Sequence, residues 1–315
     1  MIANTLGARS KRARLLELIV AFSGVVLISA TIGLAGTVRA ADGATMADGA
    51  ASAPKRAVIV VGPFAGDTAN AIESANRVAA EATAMGMDVT TIYAPHATWG
   101  RVVKAANGAD FFEYIGHGNG WPSPYRPFQE NTKDGLGLNA HDGDSDYSVK
   151  YYGANRIIAK IHFAPNAIVY LNKLCYSSGN GEVGMLVPTQ KVAVQRVDNF
   201  AAGFLAAGAR VVFTLKTQPA ETLIDALYQT HETMDDWFKT TYDGGWGGDQ
   251  ASERGWIGTQ PDLYFDSART PGATIHIDPD SPVAGDPVTD AKGAYQRGVT
   301  GDLAFTTDAW LGSGH

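Results

Sequence analysis

The sequence predicts an α/β fold of three layers: a mostly parallel central sheet covered by helices on both faces, with a small β-rich C-terminal extension. Three observations predict it. Apolar runs of strand length alternate with helical periodicity from about residue 56 to residue 240, the pattern that produces right-handed crossovers and parallel pairing. The apolar runs are nearly continuous, as in strands buried on both faces. Gly86 and Gly208 stand where helical segments stop, suited to the left-handed residue that ends many helices.

The elements follow in order. Ala57 to Val61 is a strand closed by the Gly62-Pro63 turn, and Thr68 to Met85 is a helix whose inward stripe is Ile72, Val78, Ala79, Ala82 and Met85. Asp88 to Tyr93 is a second strand, Thr98 to Ala106 a short helix, and Asp110 to Ile115 a third strand that ends at Gly116-His117-Gly118. An insertion containing residues 118 to 149 comes next. A helix near Tyr152 to Lys160 then leads to the strand Ala167 to Leu174, followed by Cys175. Beyond it the pattern predicts a helix over Asp198 to Ala207, a strand over Arg210 to Leu215 and one long helix over Glu221 to Phe238. After Thr241 glycine, tryptophan and aspartate dominate, and Asp262 to Asp266 with Ala273 to Ile277 form a hairpin across Pro271-Gly272. The last 35 or so residues are weakly patterned, and loose order is expected there.

The resulting organisation is a targeting segment at 1–40, a flexible linker at 41–55, the α/β domain at 56–240 and a Gly/Trp-rich extension at 241–315. Arg9, Lys11, Arg12 and Arg14 precede the apolar stretch Leu18 to Gly36, and Val38-Arg39-Ala40 follows. That is the order of a secretory signal peptide cleaved after Ala40. An uncleaved membrane anchor is the rival reading, since about 18 apolar residues begin to span a bilayer. The expected location is secreted, cell-surface or periplasmic, with membrane contact only if the segment is retained.

Of 25 basic and 32 acidic residues, five and one precede Ala41, so the remainder carries 20 and 31, a net charge of −11. Nucleic acid is therefore excluded as an expected partner. Cys175 is the only cysteine and cannot close a disulfide within the chain. In an oxidising compartment cysteines are normally paired, so a lone thiol has either a chemical role or the role of a small buried apolar residue.

His117 and Cys175, 58 residues apart, each stand just past the C-terminal end of an apolar strand, where an α/β sheet places its ligand crevice. Neighbouring strands lie about 4.8 Å apart. On adjacent strands an imidazole can activate a thiol and protonate a leaving amine. Gly118 allows close backbone approach, and its N–H is a candidate oxyanion donor.

These blocks resemble the caspase-like clan of cysteine peptidases (clan CD), which includes caspases, metacaspases, gingipains, separases and bacterial CHAT domains. Tyr114-Ile115-Gly116-His117-Gly118 is similar to the clan's hydrophobic block closed by His-Gly, and Ile168 to Cys175 to its second block closed by cysteine. Cys175-Tyr176-Ser177-Ser178-Gly179 resembles the segment after the nucleophile in metacaspases and CHAT domains, and Phe204 to Phe213 resembles a CHAT helix-to-strand turn. The resemblance implies an endopeptidase with Cys175 as nucleophile, His117 as acid and base, a protein or peptide substrate, and no cofactor needed for the chemistry. A catalytically silent caspase-like module that binds a peptide or protein partner is the alternative.

Lys173 stands where many clan members carry an acidic residue or Gln for the substrate side chain, which removes support for a basic-specific pocket of the metacaspase kind. It either favours an acidic substrate or is a solvated loop lysine. Trp121, in the stiff segment Trp121-Pro122-Ser123-Pro124-Tyr125, is a candidate cleft wall. Trp246 and Trp256 have no spacing that supports carbohydrate binding, and packing is the expectation for both. Asp142, Asp144 and Asp146 alternate as Ca²⁺ ligands do in tight loops, although Tyr147 and Gly153 break the EF-hand pattern; a solvated acidic loop is the other reading.

Overall fold

The computed structural model describes residues 53–125, 127–215, 220–240, 262–279 and 295–312. The expected targeting segment, most of the linker and the Gly/Trp-rich stretch with Trp246 and Trp256 lie outside the described residues.

The chain folds as a mixed α/β protein with a large, mostly parallel sheet between two layers of helices. Strands β1 (Arg56–Val61), β2 (Asp88–Tyr93), β3 (Phe111–Ile115), β6 (Ala167–Asn172) and β7 (Ala209–Leu215) run parallel, in the order β2-β1-β3-β6-β7. The sheet continues through β10 (Tyr295–Gly301), β9 (Thr274–Pro279) and β8 (Leu263–Asp266), all antiparallel to their neighbours. The expected hairpin therefore forms, and the β-rich C-terminal part is continuous with the central sheet.

The two faces carry separate cores. On one, α1 (Thr68–Ala84), α5 (Glu221–Gln229), α6 (Met234–Thr240) and α7 (Thr307–Leu311) pack on Ile59, Phe111, Tyr170 and Phe213. On the other, α2 (Trp99–Ala106), α3 (Ala154–Lys160) and α4 (Gln190–Ala206) cover Val60, Phe112, Val169 and Val212. Alternate residues of one strand point to opposite faces, so each strand feeds both cores, which is why its sequence is apolar throughout.

Several elements differ from expectation. The buried stripe of α1 is Ala71, Ala75, Val78 and Ala82, while Ile72, Ala79 and Met85 lie at its margin. Helix α4 begins eight residues before the expected start, because Val192, Val194 and Val197 dilute its helical periodicity. The long helix is two, α5 and α6, separated by Thr230–Thr233, where Thr307 Oγ1 donates to the Thr230 carbonyl at 2.7 Å and Thr233 bridges to Thr306. Within the insertion, β4 (Leu136–Asn139) and β5 (Val149–Tyr152) pair as a small antiparallel ribbon. Residues 295–312 are not loose: β10 is buried along its length and Trp310 is 1% exposed.

Candidate active site

Strands β3 and β6 are parallel neighbours, with Ile115 opposite Asn172. His117 therefore leaves the sheet two residues past one strand and Cys175 three residues past the next, at the same edge. Both side chains are half-buried. Gly118 links them: a Cβ there would overlap the Cys175 carbonyl oxygen and meet the Cys175 nitrogen and the Leu174 Cβ, each at 3.0 Å. Only glycine lets the two loops close on each other this tightly. Among the described residues the Gly118 N–H has no hydrogen-bond acceptor.

The loop of Cys175 is wound tightly. Lys173 and Tyr176, on either side, have positive φ of 65° and 73°, a conformation uncommon outside glycine. Ser177 Oγ donates to the Leu174 carbonyl at 3.0 Å, and Tyr176 N–H to the Asn180 carbonyl at 3.0 Å. The sheet's C-terminal part also holds this loop: Ser178 Oγ donates to the Tyr295 carbonyl at 3.1 Å and Tyr295 N–H to Asn180 Oδ1 at 3.2 Å.

The loop of His117 is tied to the β4–β5 ribbon. Tyr114 Oη, fully buried, donates to the Gly137 carbonyl at 2.6 Å, lies 3.2 Å from the His117 carbonyl and accepts from Gly137 N–H at 3.0 Å. The imidazole meets the Phe64 ring edge-on, with centroids 4.9 Å apart. Burial holds its pKa below the ordinary value of 6.5, opposed by the charge of Glu182. A neutral imidazole able to accept a proton follows near neutral pH.

Arg196, unremarked in the sequence, joins the two loops. It is 8% exposed, donates from Nε to the Pro122 carbonyl at 2.8 Å and from Nη1 to the Gly179 carbonyl at 2.9 Å, and lies over the Tyr176 ring. Asn199 Nδ2 adds a bond to the Trp121 carbonyl at 2.9 Å. The signal, an arginine on the buried side of a helix that needs fixed acceptors, was hidden because the expected helix began only at Asp198.

Beside Gly118 opens a cavity of about 390 Å³ whose wall includes Tyr125, Lys133, Tyr151 and Glu182. Tyr125 closes the stiff segment expected to wall the cleft, whereas Lys133, Tyr151 and Glu182 were not singled out from sequence, because they come from distant positions of the chain. Trp121 is not among the described residues that line it; its ring packs against Phe128 with centroids 5.3 Å apart. Lys173 lines a smaller crevice of about 20 Å³ with Cys175, and its ammonium lies 3.5 Å from Asp67.

The three loop carboxylates have different surroundings. Asp142 pairs with His96 at 3.0 Å and Arg101 at 3.2 Å, while Asp144 accepts from His141 N–H at 2.8 Å and Ser148 Oγ at 3.3 Å. The Asp146 carbonyl accepts from Ala65 N–H at 3.0 Å. Among the described residues no three His, Cys, Asp or Glu side chains group as a metal site.

One carboxyl beneath the site has no such partners. Glu113 of β3 is fully buried with neither oxygen hydrogen-bonded, and burial pushes its pKa from 4.5 up to about 8, opposed by the nearby Asn172 amide and aided by the Glu221 charge. The group is therefore chiefly protonated at neutral pH.

No family model and no curated protein sequence matches the chain. Among solved structures it is similar to a secreted C11 cysteine protease from Bacteroides thetaiotaomicron in complex with an irreversible peptide inhibitor, at 12% identity and a TM-score of 0.35, over 71% of this chain and 66% of that one. The chain thus spans just under two thirds of that protein's length. A likeness at this level carries no argument about residues or activity. Among the described residues no helix is long and apolar enough to cross a membrane.

Proposed function

We propose that the chain is an exported cysteine endopeptidase of the caspase-like kind, with Cys175 as nucleophile and His117 as its acid and base. One observation carries the reading: the two residues leave adjacent parallel strands at the same edge, and Gly118 is pressed on the Cys175 backbone. In the acylation step the imidazole takes the thiol proton and the Sγ attacks the scissile carbonyl carbon. The Gly118 N–H is the candidate donor to the oxyanion. The C–N bond then breaks, with the imidazolium giving its proton to the leaving amine. Water, deprotonated by the imidazole, cleaves the thioester and restores the thiol. The signal-peptide order of residues 1–40 supports export.

Alkylation by a peptide-like electrophile tests the dyad. At neutral pH the wild type is expected to label at Cys175, with the rate lowered at least tenfold in His117→Ala and labelling abolished in Cys175→Ser. Equal rates in wild type and His117→Ala, together with no cleavage of a peptide library, would leave the binding-module reading in its place.

A further inference from the structure

The 390 Å³ cavity is lined by Gly118, whose Cα packs closely on the Cys175 backbone. Its volume falls in the range of about 300 to 1,000 Å³ typical of small-ligand sites. Among the described residues, two charged side chains of opposite sign line it, Lys133 and Glu182. Lys133 is 3% exposed, and its ammonium is held by two neutral acceptors, Asn119 Oδ1 at 2.6 Å and Ser123 Oγ at 3.0 Å. An ammonium has three donors, so one N–H remains for a ligand. Glu182 accepts from Tyr125 Oη at 2.8 Å on one oxygen and from Tyr176 Oη at 3.1 Å on the other, which fixes the carboxylate and leaves it lone pairs.

A ligand group of either charge entering this cavity meets a like charge: a guanidinium or ammonium meets Lys133, a carboxylate meets Glu182. A neutral amide meets neither penalty, since its oxygen accepts from a cation and its NH₂ donates to a carboxylate. We infer that this cavity receives the substrate side chain next to the scissile bond and selects an uncharged carboxamide, glutamine or asparagine, with the amide oxygen on Lys133 and the amide nitrogen on Glu182. The assignment rests on the peptidase reading for the cleavage step but not for the binding preference. Lys173, whose ammonium faces Asp67, takes no part in it.

The test uses six otherwise identical fluorogenic peptides with Gln, Asn, Glu, Asp, Arg or Lys before the scissile bond. Cleavage is measured with the wild type, and binding by fluorescence polarisation with Cys175→Ala. The better amide peptide is expected to exceed every charged peptide at least tenfold in kcat/KM and in affinity. Glu182→Gln, which leaves Lys133 unopposed, is expected to improve the Glu and Asp peptides at least tenfold relative to Gln. Preference for a charged peptide in both assays, or a ranking that Glu182→Gln does not move, would overturn the inference. Selective amide binding by Cys175→Ala without cleavage by the wild type would sustain the pocket and sink the peptidase reading. Cleavage without amide preference would do the reverse, and neither cleavage nor selective binding would sink both.

Discussion

Replacing Glu113 with glutamine is expected to stabilise the protein at neutral and alkaline pH while leaving it nearly unchanged near pH 4. Glutamine keeps the shape of the protonated carboxyl but cannot ionise. In the wild type, both folded and unfolded chains hold the proton below the ordinary value of 4.5. As pH rises, the unfolded chain ionises first, while the folded protein keeps the proton until about pH 8. The folded state then binds more protons, so wild-type stability falls across this window and is level outside it with respect to this group. Moving a carboxyl from 4.5 to about 8 corresponds to about 5 kcal/mol over the whole window, of which about 3 kcal/mol is lost by pH 7. Glu113 is fully buried, so solvent does not discount the figure as it would at the surface. Urea denaturation of wild type and Glu113→Gln from pH 4 to pH 9 measures it. Parallel curves, with no growing gap between pH 5 and pH 8, would refute the assignment of a buried neutral carboxyl.

Further outcomes are expected. Gly118→Ala should cost about 2 kcal/mol in denaturant melts and slow Cys175 alkylation, because the new methyl overlaps the Cys175 carbonyl; a fully stable, equally reactive variant would contradict the close approach. His276→Ala should cost about 3 kcal/mol by chemical denaturation, since the buried imidazole lies 2.6 Å from Asp235 and 3.2 Å from Asp262 and stacks on Tyr264. A loss under about 1 kcal/mol would mean the cluster is an ordinary surface contact. The His117-dependent part of the alkylation rate should persist below pH 6.5, since burial keeps the imidazole neutral to lower pH; an acid limb above 6.5 would reverse that sign. Calcium or a chelator should leave the thermal midpoint unchanged, because the Arg101 guanidinium already pairs with Asp142. A calcium-dependent rise would identify the loop as a cation site.

The parallel strands were legible in sequence because burial on both faces leaves little room for polar residues, as in Ala167–Asn172. The same constraint made the strand ends readable, and with them the positions of His117 and Cys175. The β4–β5 ribbon was not legible: its buried side includes only the three apolar side chains of Leu136, Leu138 and Tyr152, and much of its support comes from distant partners, the Tyr114 hydroxyl on Gly137, the Ala97 carbonyl on Asn139 N–H and the Trp99 ring on Tyr152. Strand β10 was hidden for a related reason. Its Gln296, Arg297 and Thr300 are buried, and Arg297 reaches the Phe238 carbonyl and ring. Polar residues matched only by distant partners look like surface until the fold is known. The cavity beside Gly118 depends on such convergence too, with Lys133 and Glu182 separated by 49 positions and Tyr125 reaching from the first loop to Glu182 on the second.

Strand β10 lies between β7 and β9, and its first residue, Tyr295, supplies both backbone groups that brace Ser178 and Asn180. The loop of Cys175 is thus completed by a segment made more than a hundred residues after it. On the ribosome, a chain that has emerged through β7 can assemble the five parallel strands but leaves an unpaired edge at β7 and the cysteine loop without that brace. Long-range closure of this kind costs loop entropy before it returns contacts. The order of synthesis therefore separates the building of the scaffold from the shaping of the thiol's surroundings. A nascent chain can acquire most of its core while the loop of Cys175 still lacks its final support.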